Sequence, residues 1–222
     1  MVEAARLRIT RRSGKVRVVA GDSPVSVDGG SMHSTADGWV EIHARSGSAL
    51  EVRCPVGSDL MISTSSGAIE VVGDAGSVKV TTKSGSLAIE RAAEIDARGA
   101  SGRVRVGSCA GECHVAFVSS SVHIGDAGRA FVATVSGHIE AADVGAAEVK
   151  TVSGNIDIGL RAGGSVAARS ISGSVNVSVP DGDRPATRLK SVSGKISCEC
   201  TQGDDGEIKA KTVSGRITVT CR

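Results

Sequence analysis

The sequence predicts an all-β fold, a single-stranded and right-handed parallel β-helix, from a recurring tetrapeptide, fixed apolar columns and an unusual composition. Thr134–Gly137, Thr151–Gly154 and Thr212–Gly215 all read T-V-S-G, and Ser170–Gly173 and Ser191–Gly194 are close variants. The 222 residues include 29 glycines but no tyrosine, one tryptophan and two phenylalanines. Because aromatic side chains normally fill wide interiors, the core must be thin and built from Val, Ile, Ala and Leu.

The repeat is defined by the serine of each S-G pair, which we call the anchor. Consecutive anchors are 17 to 21 residues apart over most of the chain, and Ser120 replaces the glycine after one of them. A single repeat cannot bury both of its strands, so the repeats must stack into a solenoid. The anchors are Ser46, Ser66, Ser84, Ser101, Ser119, Ser136, Ser153, Ser172, Ser193 and Ser214.

Each anchor is followed by a predicted strand. Apolar residues stand three and five positions after it, as Ile156 and Ile158 do after Ser153, and the residue between them is mostly polar, as Asp157 is. This period of two is typical of a half-buried strand. The stretch Ser13–Val18 matches half of the same repeat.

A second strand precedes each anchor, with apolar residues six and four positions before it. One position before the later anchors stands another apolar residue, which we expect to point inward as well. The inward positions would then change parity within T-V-S-G, which predicts a bend there, and glycine supplies the backbone freedom. The residues expected to point inward at this last position are Val135, Val152, Ile171, Val192 and Val213.

The chain is predicted to divide into an N-terminal cap with irregular first coils, residues 1–60, and β-helix repeats, residues 61–222. About nine coils would stack one strand spacing apart, and right-handed winding follows from the crossover preference of parallel strands. Solenoid ends generally need covering, which favours the cap. We expect the last coil, through Ile217 and Val219, to leave unpaired backbone at the other end, which predicts an end-to-end homo-oligomer.

The long segment LMISTSSGAIEVVGDAGSVKVTTKSGSLAIE is followed by TVSGHIEA, TVSGNIDI and SVSGKIS. Together these segments resemble the bacterial β-strand-repeat family known as "putative adhesin" or toast-rack domains. The similarity covers roughly Cys54 to Arg222. It implies a β-helix without enzymatic activity and a link to bacterial envelope or stress functions, often through a membrane anchor or a partner domain. No such anchor is visible in this sequence.

Charge and hydropathy give no sign of a general affinity for nucleic acid or membrane. The formal net charge is only +2, so no global field attracts such partners. The N-terminus has no apolar region typical of a signal peptide. No stretch approaches the roughly 18 uninterrupted apolar residues of a membrane-spanning helix. We therefore expect a cytoplasmic protein.

Motifs that would carry catalysis or bind a metal or cofactor are not recognised. The segment CAGECH, Cys109 to His114, has one residue too many for a haem-attachment motif, and its register predicts Cys113 inward and His114 outward. His123 and His138 lie on neighbouring repeats, two positions out of register. The hydroxyls stacked before the anchors could form an ice-binding ladder or, alternatively, bond the backbone at the corner. We expect no enzyme, no cofactor and no metal site.

Two cysteines are predicted to be neighbours. Cys200 and Cys221 both stand seven positions after their anchors, so they should stack on adjacent coils within reach of a disulfide. In a reducing cytoplasm we expect both thiols to be free.

The candidate site is a basic stripe on the outer surface, formed by residues three and five positions before the later anchors. Such a ladder of like charges repels itself. It serves either to keep the sheet from aggregating or to bind an acidic protein segment or an anionic surface; nucleic acid is not expected, because no aromatics are interleaved to stack on bases. The stripe comprises Lys150, Arg169, Arg188, Lys190, Lys209 and Lys211.

The function favoured by these observations is a non-catalytic bacterial scaffold or interaction module. The alternative is a self-polymerising cytoskeletal element that resembles bactofilins, which are also short β-helices. Bactofilins usually carry disordered tails that flank the helix, and this chain has almost none.

Overall fold

A computed structural model describes residues 3–44 and 49–222, and these residues are all β-strand, turn or irregular, with no helix. The anchor Ser46 lies outside the described residues. The chain forms two compact units, Met1–Ala110 and Gly111–Arg222. The strands are β1 (Arg6–Ser13), β2 (Val16–Gly21), β3 (Ser26–Asp28), β4 (Gly30–Ser34), β5 (Trp39–Ala44), β6 (Leu50–Pro55), β7 (Asp59–Ser66), β8 (Ile69–Ser136), β9 (Ile139–Ser153), β10 (Ile156–Ser172), β11 (Val175–Val179), β12 (Ala186–Ser193), β13 (Ile196–Cys198), β14 (Glu207–Ser214) and β15 (Ile217–Cys221).

In the first unit, the repeat that begins the chain lies one place in from the edge. β1 pairs in parallel with β5 on one side and β7 on the other, and β2 likewise lies between β6 and β8. Two short strands pair antiparallel at this edge, β3 with β6 and β4 with β5. Ser13 is in register with Ser66, and Val16 and Val18 are fully buried, which confirms the half-repeat predicted there. The boundary at residue 60 stays a prediction.

In the second unit, the repeat that ends the chain is inserted between two earlier repeats. β14 pairs in parallel with both β10 and β12, and β15 pairs with both β11 and β13. The expectation that the last repeat is the open end is therefore wrong. Among residues 111–222 the open end is formed by β12 and β13, each of which pairs with one strand only.

Core composition explains this order of repeats. Four inward residues of the inserted repeat are apolar and fully buried, Ile208, Ala210, Ile217 and Val219, and one, Thr212, is polar. The inward positions of the outer repeat are more polar and are only partly covered: Thr187, Leu189, Ser191, Ile196 and Cys198. Since burial of apolar surface stabilises the fold, the more apolar repeat occupies the place covered on both sides.

The anchors stand in register wherever two repeats of the second unit are paired. Ser136 pairs with Ser153, Ser153 with Ser172, and Ser214 with both Ser172 and Ser193. Ile139, Ile156, Val175 and Ile217, each three positions after its anchor, are fully buried. The predicted columns after the anchor are thus confirmed.

The column directly before the anchor points outward, which corrects the expectation of an inward column. Val135, Val152, Ile171, Val192 and Val213 are 44 to 81% exposed. The hydroxyl residues one position earlier are buried instead. Buried and outward side chains therefore alternate without a break from six to two positions before the anchor. The parity therefore changes at the Ser-Gly step itself, because the strand stays extended until it reaches the glycine. The buried hydroxyl residues of this column in the second unit are Thr134, Thr151, Ser170 and Thr212.

The glycine after the anchor is required by close approach between repeats. A Cβ atom on Gly173 would overlap the carbonyl oxygen of Gly154, and one on Gly215 would overlap that of Gly173. A Cβ atom on Gly194 would likewise overlap the carbonyl oxygen of Gly215. The corner glycines thus form one column in the order 154, 173, 215, 194, which again places the last repeat between the two before it.

A disulfide joins Cys200 to Cys221, with a Cα–Cα distance of 5.5 Å. The predicted proximity of the two residues is confirmed, and the expectation that both thiols are free is corrected. Cys200 lies in the connection between β13 and β14, and Cys221 ends β15. The bond therefore ties the inserted last strand to the segment that leads into its own repeat.

We predict that Gly173→Ala destabilises the protein more than Gly182→Ala. Both residues have positive φ, 140° for Gly173 and 93° for Gly182, so both substitutions incur backbone strain of about 1–2 kcal/mol. Only at Gly173 does the new Cβ also meet backbone, since nothing lies within 4 Å at Gly182. The added overlap should cost a further 1–3 kcal/mol or so, measured by urea unfolding. Equal losses for the two variants would contradict the close stacking of the corners.

Candidate functional site

The basic stripe is brought together by the strand register, but not in chain order. Arg169 is the register partner of both Lys150 and Lys211, and Lys211 is in turn the partner of Lys190. The spatial order is therefore 150, 169, 211, 190, at intervals of about one strand spacing, ~4.8 Å. Beside this column, Lys209 pairs in register with Arg188. All six side chains of the stripe are exposed.

Three of the six basic residues pair with two carboxylates on the same surface. Lys150 Nζ lies 2.7 Å from Glu148 Oε1, and Glu207 pairs with both Lys209 and Arg188. The hydrogen bond from Lys150 lowers the pKa of Glu148, and that from Lys209 lowers the pKa of Glu207. Both carboxylates therefore stay ionised at neutral pH and offset part of the charge of the stripe.

The other three basic residues have no directly bonded carboxylate. Across residues 3–44 and 49–222, Arg169, Lys190 and Lys211 form no ion pair, although Arg169 adds, after Lys150, to the attraction that lowers the pKa of Glu148. They lie on three neighbouring strands, β10, β12 and β14. These three residues, which we call the unpaired cations, form a positively charged cluster at the β12 end of the stripe.

An exposed aliphatic column runs beside the unpaired cations. In an extended strand, residues two apart point to the same face, so Lys211 and Val213 share a face, as do Lys190 and Val192 and also Arg169 and Ile171. The outward surface of this part of the sheet is thus basic along one line and apolar along the next. An apolar strip rimmed by polar groups is typical of an interaction site.

Beneath this surface, the buried hydroxyl column loses its internal hydrogen bonds. Thr134 Oγ1 donates to Thr151 Oγ1 over 3.2 Å, but the next two hydroxyls along the column, those of Ser170 and Thr212, have no hydrogen-bond partner. Their residues are only 6% and 5% exposed. An unsatisfied buried hydroxyl is costly and rare, and both hydroxyls point to the face opposite to Arg169 and Lys211, because neighbouring residues of a strand alternate in direction.

A cavity of about 680 Å³ opens at the same place. Its lining includes the three unpaired cations, parts of Ser170 and Thr212, and several apolar residues. Pockets that pair an apolar lining with a few convergent polar groups are typical of binding sites. Its lining residues are Arg169, Ser170, Leu189, Lys190, Ser191, Val192, Ile196, Lys211, Thr212 and Val213.

The other candidate groups are not assembled into a site. His123 lies 3.0 Å from Glu140 and His138 lies 3.5 Å from Asp157, so each histidine pairs with a carboxylate. Cys113 is buried and His114 is exposed, as the register predicts. In the part of the chain that the structure describes, no three His, Cys, Asp or Glu residues are placed to hold a metal ion, and no helix could span a membrane.

The hydroxyl column is also incompatible with an ice-binding ladder. Such a ladder must face solvent, whereas Thr134, Thr151 and Thr212 are buried. The cavity and the unsatisfied hydroxyls could not be read from the sequence alone. The signal nearest to them is the change from Thr to Ser at 170 and 191, which removes a methyl group from the column.

Comparison with known proteins identifies one family over nearly the whole chain. The model of the family described as Toastrack DUF4097 matches residues 5–220. No curated protein matches the sequence.

Two solved structures are distantly similar to this chain. One is a "putative adhesin" from Bacteroides fragilis, 11% identical, with a TM-score of 0.46 over 100% of this chain and 93% of that one. The other is a "putative cell adhesion protein" from Clostridium sporogenes, 9% identical, with a TM-score of 0.23 over 99% and 93% of the two chains. Neither similarity is close enough to carry an argument about function.

We predict that Thr212→Val leaves the free energy of unfolding unchanged or raises it slightly, whereas Thr134→Val lowers it by about 1–3 kcal/mol. Both residues are buried to a similar degree, and the substitution conserves volume. Only Thr134→Val removes a hydrogen bond and leaves the Thr151 hydroxyl unsatisfied. Denaturant unfolding measures both. A loss at Thr212 as large as that at Thr134 would show that its hydroxyl is already bonded in the free protein.

Proposed function

This chain belongs to the Toastrack DUF4097 family, and we propose that it is a non-catalytic interaction module that binds an acidic protein partner at the basic stripe. The observation that carries the proposal is the set of unpaired cations, Arg169, Lys190 and Lys211, held in register beside an exposed aliphatic column. Aligned like charges repel one another. A partner with carboxylates would relieve that repulsion.

An acidic protein fits this surface better than nucleic acid does. The exposed column beside the cations consists of valine and isoleucine, which cannot stack on bases as aromatic rings do. The whole chain carries a net charge of only +2, so the attraction is local. Aliphatic side chains next to cations complement a segment that carries both acidic and apolar residues.

We also propose the finer architecture expected from the sequence, a single-stranded, right-handed parallel β-helix of about nine coils. Parallel pairing at offsets that match the anchor spacing supports this winding within each unit, as for Ser153 with Ser136 and Ser172. The inserted repeats β1–β2 and β14–β15 then depart from simple winding. β1 lies between β5 and β7, and β14 lies between β10 and β12, so each inserted repeat has changed places with the repeat beside it in sequence.

The basic stripe predicts salt-sensitive binding of an acidic polypeptide. Replacing Lys150, Arg169, Lys190 and Lys211 with Gln should abolish binding of poly-L-glutamate at low salt, because the charges that attract it are removed while the fold is kept. Isothermal titration calorimetry measures the affinity, and circular dichroism checks the fold. Raising the salt concentration should weaken binding by the parent protein, since exposed charges are screened.

A charge-matched control separates the stripe from general basicity. Lys79, Lys83, Arg103 and Arg105 are four exposed basic residues of the first unit, and their replacement with Gln should leave binding nearly unchanged. If both quadruple variants lost affinity equally, or if the stripe variant bound as the parent does, the stripe would be a solvated surface and not a docking site.

A further inference from the structure

The outer strand β12 offers an unpaired edge directly beside the cavity. Among the described residues of the second unit, β12 pairs only with β14. Successive residues of a strand direct their backbone N–H and C=O groups to opposite sides, so alternate residues of β12 present these groups on the open side. Such an edge is a template for another extended segment.

The cavity supplies groups that a strand added there could use. Lys190 lies on β12 itself, and Lys211 and Arg169 lie one and two strands further in. All three cations line the cavity. Charge-assisted hydrogen bonds from these cations to a carboxylate would relieve their mutual repulsion.

The apolar part of the lining indicates a second requirement for the ligand. Leu189, Val192, Ile196 and Val213 line the cavity, and Val192 is 81% exposed, the most exposed large aliphatic residue among those described. A single carboxylate would leave this surface in water. In an added strand whose carboxylates face the cations, the intervening aliphatic side chains point to the opposite face, where they would cover Leu189.

We propose that the β12 edge binds an extended peptide segment of alternating acidic and aliphatic residues, which adds to the sheet as a further strand and places a carboxylate at the unpaired cations. This inference rests on the proposed function and names its partner by chemistry. The free backbone of β12 distinguishes a peptide from a lipid headgroup surface, because only a peptide can satisfy its N–H and C=O groups along the strand.

A second copy of this chain is a poorer occupant than an acidic segment. If β12 paired with its own copy, Arg188 and Lys190 would lie opposite or near the same cations of that copy. Like charges that face each other across strands are destabilising. The pattern of charge therefore favours a partner of opposite sign over self-association at this edge.

The test uses the full chain and three labelled peptides. The first alternates glutamate and valine; the second has the same sequence with N-methyl groups on alternate backbone amides; the third alternates lysine and valine. Fluorescence anisotropy should show binding of the first peptide only, because N-methylation blocks strand pairing without changing side chains or charge. Hydrogen exchange should slow at alternate amides of β12 when the first peptide binds.

Variants of the protein locate the site. Replacing Arg169 and Lys211 with Gln should weaken binding of the glutamate–valine peptide by about tenfold or more, the equivalent of roughly 1.4 kcal/mol. Replacing Lys79 and Lys83 with Gln should leave the affinity unchanged.

Each other outcome overturns the inference in a distinct way. Equal binding of the plain and N-methylated peptides would overturn strand addition but leave the proposed function standing, because attraction to the stripe would remain. Binding of phosphatidylglycerol vesicles without binding of the peptide would assign the surface to a membrane. A dimer in sedimentation velocity that the peptide does not dissociate would assign the edge to a second copy.

Discussion

The stacking of backbone on backbone at the corner glycines is the constraint on which the rest of the structure depends. A Cβ atom added to such a glycine would overlap the carbonyl oxygen of the corner residue on a neighbouring repeat, as at Gly173 against Gly154. No side chain fits at Gly173, Gly194 or Gly215, which favours a single register between these repeats. A shift by one residue would also turn every buried column outward. The corners therefore align all the other columns, both the buried apolar ones and the exposed ones.

The candidate site is a consequence of that alignment. In-register stacking brings together residues that are far apart in the chain, and it does so for like charges as readily as for apolar side chains. Lys150 has Glu148 on its own strand and Lys209 has Glu207, whereas the unpaired cations have no such neighbour. Insertion of β14 then places Lys211 between Arg169 and Lys190. The cluster of charge and the incomplete outer repeat thus coincide at the same end of the unit, beside an open strand edge.

Sequence patterns predicted the columns well and the order of repeats poorly, for physical reasons. Ile156 and Asp157 alternate because strand geometry is local, and Cys200 and Cys221 meet because both stand at the same distance from an anchor. The sequence pattern wrongly places Val152 inward, because valine is typical of core positions. Only the path of the backbone shows that the buried position belongs to Thr151. The insertion of β14–β15 depends on which of two similar repeats buries its core better. The outcome depends on whether Ile208 or Thr187, for example, takes the position that is covered on both sides. Only a comparison of two whole tertiary arrangements shows this, because neither segment contains that information by itself.

Cysteine cross-linking tests the order of the repeats most directly. In a Cys198→Ser background, which removes an exposed thiol, Arg169→Cys is combined either with Lys211→Cys or with Lys190→Cys. Register partners lie about 4.8 Å apart, within disulfide range, whereas residues two strands apart, at roughly 9.6 Å, are beyond it. Because Arg169 is the register partner of Lys211, the first pair should form a disulfide under mild oxidation and the second should not. Cross-linking of 169 with 190, and not with 211, would show that the repeats stack in chain order and would contradict the inserted arrangement.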